Sequence, residues 1–130
     1  EIFGYQLIMD EKDQIIGKRD ELLLSSLDLS VEQVVQLTKI KGGAVVPAHV
    51  DRPSYSIISQ LGFIPENLSF GVLEISHSNA SIPLQAEGFH HIISSDAHEL
   101  GNILEKETIL DICYLSTAAL IQWLKCPRVI

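Results

Sequence analysis

The sequence has few of the features that would cross-link a chain or anchor it in a membrane. Only two of its 130 residues are cysteines, Cys113 and Cys126, and they do not form a Cys-x-x-Cys pair. This count excludes a disulfide-dense fold, and reduced thiols in a cytosolic protein are the default. No apolar run approaches the ~20 residues that a membrane-spanning helix needs. We therefore expect a globular protein of the cytoplasm.

Positive charge is also scarce, because nine Lys and Arg residues stand against 17 Asp and Glu residues, for a net charge of -8. Such a chain is not drawn nonspecifically to nucleic acid or to an anionic membrane. It remains compatible with a nucleotide held at a metal site, because the ions supply the positive charge. Hydrophobic residues make up 46% of the chain, which is typical of a folded domain.

The N-terminal segment predicts a hairpin. Residues 5–9 have the composition of a short strand, and the charged run 10–13 predicts a turn. Residues 14–16 then follow before Gly17 and are expected to pair back onto the first strand. A short helix is predicted over 21–27.

From Ser30 onward, helical and β-rich segments alternate. Ser30 and Gln33 form a capping-box pattern, which predicts a helix that ends at Gly42 and Gly43. Further helices are predicted over 54–61, 79–87 and from Ser116 to near Pro127, and strands over 44–46, 72–75, 91–94 and 108–113. This order implies right-handed crossovers and a parallel sheet, and so an α/β fold.

Two short segments that follow predicted buried strands carry most of the functional signal. They contain His49 in one case, and Asp96 with His98 in the other. Residues just past the carboxyl ends of parallel strands line the active-site face, so these three side chains are expected to share one space. Imidazole nitrogen and carboxylate oxygen suit zinc, manganese or iron. The alternatives are that His49 is a hydrogen-bonded loop residue and that Asp96 caps a helix.

These segments belong to a longer set of motifs. The motifs are Gly-Gly-x-x-x-Pro-Ala-His (42–49), Gly-x-Leu-Glu-Ile-Ser (71–76) and Ser-Ser-Asp-Ala-His (94–98). Together they resemble the C-terminal half of the PHP (polymerase and histidinol phosphatase) superfamily of metal-dependent phosphoesterases. The resemblance implies a partial distorted β/α barrel of about four parallel strand-helix units. It also implies that His49, Asp96 and His98 are ligands of divalent metal ions.

The sequence departs from that family before residue 49. The family's first motif, Asp-x-His-x-His, is absent, as are its second motif and the bridging acid, and no histidine precedes His49. We therefore expect residues 1–130 to be the C-terminal part of a PHP-like domain in a longer protein. We expect the chain to be inactive alone, and to dimerise or associate with the missing N-terminal half.

Three further residues are candidates for supporting roles. Arg52 suits a substrate phosphate, because the guanidinium fork matches phosphate oxygens, or it pairs with Asp51 or a nearby Glu. Asp51 is a candidate to orient His49. Glu74, at a strand end, is expected to be structural or to support a ligand.

Three functional hypotheses follow. The first is a fragment of a phosphoesterase that acts on a phosphorylated small molecule or nucleotide through metal-activated water. The second is a noncatalytic PHP-derived module for binding or assembly. The third is a metal hydrolase of the amidohydrolase type, although the sequence offers no candidate for the carbamylated lysine of those enzymes.

Overall fold

The computed structural model describes residues 4–77, 79–103 and 109–125, and the chain divides into two compact units, Glu1–Ser30 and Val31–Ile130. The first unit is built on a hairpin. Its strands are β1 (Gln6–Met9) and β2 (Ile15–Arg19), which pair antiparallel. The hairpin that the sequence predicts is therefore present, with a second strand that extends further than 14–16.

The turn of this hairpin is closed by one side chain. The Oδ1 atom of Asp10 accepts hydrogen bonds from the backbone N–H groups of Lys12 and Gln14, both at 2.9 Å. Asp13 takes a left-handed backbone conformation with φ of 59°, which aspartate tolerates better than most residues do. The charged run thus forms the turn because its first member supplies an acceptor to the two N–H groups.

The helix predicted over 21–27 is absent, and the segment forms turns and bends. The amide side chain of Gln6 accounts for part of this difference. Its Nε2 donates to the carbonyl of Glu21 at 2.6 Å, and its Oε1 accepts from the N–H of Leu23 at 2.8 Å. The Glu21 carbonyl, which a helix would bond internally, is bonded to the Gln6 side chain instead, and the Leu23 N–H is held by the same side chain.

The second unit contains three α-helices in its described residues. They are α1 (Val31–Ile40), α2 (Ile57–Leu61) and α3 (Thr117–Leu124). Each begins directly after a serine, and the side chains of Ser56 and Ser116 accept a hydrogen bond from the N–H three residues on, as N-caps do. In the part of the chain that the structure describes, no helix combines the length and the apolar character that crossing a membrane requires.

The parallel sheet of the second unit has two strands. These are β3 (Val72–Ile75) and β4 (His90–Ile93), paired in register from Val72 opposite His90 to Ile75 opposite Ile93. The strand predicted over 72–75 is confirmed, and the strand predicted over 91–94 is present one residue earlier; the two pair in parallel.

Residues 44–46 do not form the strand that the sequence predicts. The chain just after them nevertheless follows the other edge of β3: Glu74 N–H donates to the Pro47 carbonyl at 3.0 Å, and Val50 N–H donates to the Glu74 carbonyl at 2.9 Å. Pro47 has no N–H with which to extend a ladder, and Gly43 precedes the short run. The segment therefore lies beside the sheet without becoming a regular strand.

The predicted fold class is wrong. The described residues contain one antiparallel pair and one parallel pair of strands, with neither a barrel nor four parallel strand-helix units. The helix predicted over 79–87 reduces to a single 3-10 turn, Leu84–Ala86, which follows Pro83. The strand predicted over 108–113 is absent at 109–113, where Ile112 N–H turns back to the Leu110 carbonyl at 3.1 Å, while residue 108 lies outside the described residues.

The buried core belongs to the second unit. It is centred on β3, whose Val72 and Leu73 are fully buried. The buried hydrophobic residues that pack together are Val35, Val50, Ile64, Leu68, Phe70, Leu73, Ile75, Ala86 and Phe89. Because Val50 is in this cluster, the core fixes the backbone beside His49 and Asp51.

Candidate functional site

The carboxylate of Glu74 joins the two segments that carry the candidate ligands. Leu73 and Ile75 on either side of it are buried, so the alternation of a strand directs Glu74 to the opposite face. Its Oε2 accepts a hydrogen bond from the backbone N–H of His49 at 3.0 Å, and its Oε1 accepts one from the hydroxyl of Ser94. Glu74 thus bridges the segment that follows residue 46 and the segment that follows β4.

His49 has a buried ring nitrogen without a partner. Among the described residues, its Nδ1 has no hydrogen bond although it is shielded from solvent. Leaving a buried polar atom unsatisfied costs roughly 1–3 kcal/mol. The backbone of His49 is also left-handed, with φ of 31°. A nitrogen in this state is available to a metal ion or to a donor that the described residues do not supply.

Asp96 is paired with Arg52. The Nη1 of Arg52 lies 2.6 Å from the Oδ2 of Asp96, and both side chains are partly exposed. The sequence offers Asp51 or a nearby Glu as partners for Arg52, and Asp96, 44 residues away, was not among them. This pair links the same two segments as Glu74 does, and it engages one oxygen of a candidate ligand.

His98 is turned toward its own segment. Its Nδ1 lies 2.7 Å from the backbone carbonyl of Asp96. Because a carbonyl only accepts, Nδ1 carries the proton, and the lone pair of the neutral ring is at Nε2. This arrangement is common for histidines that bind metals through Nε2.

Asp51 is bonded to Ser76 at the end of β3. Its Oδ1 accepts from the backbone N–H of Ser76 at 2.8 Å, and its Oδ2 accepts from the Ser76 hydroxyl. Partial burial alone would raise the pKa of Asp51, but the bonds from Ser76, with the nearby charge of His77, hold that pKa below its ordinary value. Asp51 therefore anchors its loop to the sheet, and the unpartnered Nδ1 of His49 receives no bond from it.

The segments that carry the candidate ligands meet at one edge of the sheet, but the ligand side chains do not form a complete metal site. Within residues 4–77, 79–103 and 109–125, no three His, Cys, Asp or Glu side chains are arranged to hold a metal ion. His49, Asp96 and His98 lie on segments that Glu74 and the Arg52–Asp96 pair connect. The described residues alone therefore do not fit a complete metal centre.

Sequence reasoning assigned no role to Ser76 and Ser94. Both follow a strand directly, one after β3 and one after β4, and each hydroxyl donates to a carboxylate at the candidate site. Their position at the carboxyl ends of two strands was the available signal. Comparison with family models, with curated proteins and with solved structures found no match for this chain.

Proposed function

We propose that this chain contributes part of the site of a metal-dependent phosphoesterase and that it is inactive alone. The supporting observation is that two segments bearing His49, Asp96 and His98 are joined at the carboxyl edge of a parallel strand pair, with His49 Nδ1 left unpartnered. In parallel α/β sheets, that edge is where ligands bind.

In this proposal the chain supplies two nitrogen donors and one oxygen donor. The nitrogens are Nδ1 of His49 and Nε2 of His98, and the oxygen belongs to Asp96 once Arg52 has moved away from it. These donors suit zinc, manganese or iron. Such ions acidify bound water and stabilise charge on a phosphoryl group. Because these three donors do not complete the coordination of a metal ion, no catalytic step is assigned to this chain alone.

The proposal includes the partners of the site. Arg52 would exchange Asp96 for a phosphate of a phosphorylated small molecule or nucleotide, since a guanidinium binds either anion through paired N–H groups. The remaining ligands would come from an N-terminal half of the domain or from a second copy of the chain. Among the described residues β4 has no strand on its outer side, and this supports such association because an unpaired strand edge invites pairing. A cytoplasmic location belongs to the same proposal.

The test is metal binding by the chain and by three variants, measured by calorimetric titration with Mn²⁺ and Zn²⁺. We expect weak binding by the unmodified chain, a loss of about tenfold or more in Asp96→Asn, and tighter binding in Arg52→Met, which frees the Asp96 carboxylate. Asp28→Asn removes an exposed carboxylate in the first unit and should leave the affinity unchanged.

A second candidate function is a noncatalytic module that uses the same segments for assembly. It is favoured by the Arg52–Asp96 pair, in which the guanidinium occupies one oxygen of a candidate ligand. If neither the unmodified chain nor Arg52→Met binds either ion at millimolar concentration, the phosphoesterase proposal fails and the module is supported. Equal losses in Asp96→Asn and Asp28→Asn would also contradict the ligand assignment.

A further inference from the structure

A cavity lies beside the N-terminal end of β3, whereas the candidate site lies at its C-terminal end. Its volume is about 300 Å³, and its apolar lining includes Val35 of α1, Phe70 and Leu124 of α3. Phe70 precedes β3, whereas Ser76 at the candidate site follows it. The volume is at the lower limit for pockets that bind small organic molecules. It is about ten times the volume that one molecule occupies in liquid water.

Two lysines form part of the cavity wall, and both are held in place by backbone carbonyls. Lys39 Nζ donates to the Leu68 carbonyl at 3.0 Å, and Lys125 Nζ donates to the Gly42 carbonyl at 2.9 Å. An ammonium group has three donors, so each lysine keeps two for another partner. Neither forms an ion pair with a carboxylate of the described residues.

Capping of helix ends does not account for both charges. Lys39 is in the last turn of α1, and Lys125 directly follows α3. Each helix C-terminus carries roughly -0.5 of an elementary charge, so two ends and two ammonium groups together leave roughly one positive charge. This excess is located beside an apolar cavity, in a chain that is otherwise strongly acidic.

In the part of the cavity wall that positions Lys125, the backbone of Gly43 lies close to Thr38. A Cβ at Gly43 would lie 2.8 Å from Cγ2 of Thr38, and Gly43 N–H donates to the Thr38 carbonyl at 2.9 Å. The turn after α1 is therefore tight. It fixes the Gly42 carbonyl that holds the Lys125 ammonium.

We propose that this cavity binds a small anion with an apolar body, of the class of medium-chain carboxylates. The apolar part would contact Val35, Phe70 and Leu124, and the carboxylate would accept hydrogen bonds from Lys39 and Lys125. Each ammonium group is already bonded to a backbone carbonyl beside the cavity, so part of the ordering of these exposed side chains precedes binding. The site is independent of the proposed phosphoesterase activity, because it shares no residue with the candidate metal ligands.

The experiment compares octanoate with 1-octanol, which has the same apolar body without the charge, by calorimetric titration. We expect octanoate to bind the unmodified chain about a hundredfold more tightly than octanol, because each of two hydrogen bonds to a charged group contributes roughly tenfold. Lys39→Met and Lys125→Met should each weaken octanoate binding about tenfold. Each should leave octanol binding unchanged, which also shows that the cavity has kept its shape.

Lys41→Met is the matched control, because Lys41 is exposed, does not line the cavity and carries the same charge. Equal affinity for octanoate and octanol would overturn the proposal, as would equal loss in Lys41→Met and Lys39→Met. Failure of the unmodified chain to bind octanoate at millimolar concentration would overturn it as well. None of these outcomes depends on whether the chain binds metal ions.

Discussion

Both units expose large hydrophobic side chains, but only the second unit also has a buried hydrophobic cluster among its described residues. In the first unit none of the described residues is buried, and Leu24 and Leu27 are 69% and 72% exposed. In the second unit Leu73 is fully buried at the centre of a cluster. The hairpin is therefore held mainly by hydrogen bonds of its backbone and turn, whereas the second unit has a hydrophobic core. Hydrophobic content alone does not tell which part of a chain stabilises itself.

The largest expected effect separates a core leucine from an exposed one. Leu73→Ala removes a fully buried side chain from the cluster around β3, and we expect it to lower the free energy of unfolding of the second unit by about 2–5 kcal/mol. Leu24→Ala should change it by less than about 0.5 kcal/mol. Urea unfolding monitored by circular dichroism measures both. Similar losses in the two variants would mean that Leu24 is buried in solution and that the contrast between the units is wrong.

An intermediate effect is expected at a buried helix cap of the second unit. The hydroxyl of Ser56 accepts from the Ser59 N–H at 3.1 Å and donates to the Arg52 carbonyl at 2.8 Å. Ser56→Ala should therefore lower the stability of that unit by about 1–2 kcal/mol. The exposed Ser54 provides a control in Ser54→Ala, which should have little effect. If thermal unfolding shows equal shifts for both variants, the two hydrogen bonds of the Ser56 hydroxyl do not stabilise the unit as described.

The smallest expected effect depends on pH. The pKa of Asp51 is held below its ordinary value, so its ionised form contributes stability above the unfolded pKa of about 3.9, and that contribution is lost as pH falls through the lower folded pKa. Asp51→Asn should flatten the decline in stability below about pH 4. The exposed Asp28 serves as control in Asp28→Asn, for which chemical unfolding at several pH values should give the profile of the unmodified chain.

Several elements were predictable from neighbours in sequence, although the helices predicted over 21–27 and 79–87 were not formed. The hairpin, α1, α3 and the parallel pair of β3 and β4 follow from turn residues, serine caps and apolar runs. The barrel required further strands that the described residues do not provide, and the strand at 44–46 is interrupted by its flanking Gly43 and Pro47. At the candidate site, the sequence singled out Arg52 and Asp96 separately. Their pairing depends on how two segments 44 residues apart are brought together, which no local pattern encodes.

The left-handed backbone at His49 and Asp96, with φ of 31° and 47°, restricts how these two positions can drift in sequence. β-Branched residues are strongly disfavoured in this region, whereas Gly and Asn enter it readily. A mutant library selected only for folding should therefore lose Val and Ile at both positions while it accepts Gly and Asn. If a library selected for metal binding retains His and Asp at these positions, the difference between the two libraries measures selection for metal ligands, separately from selection for a residue that the backbone conformation accepts.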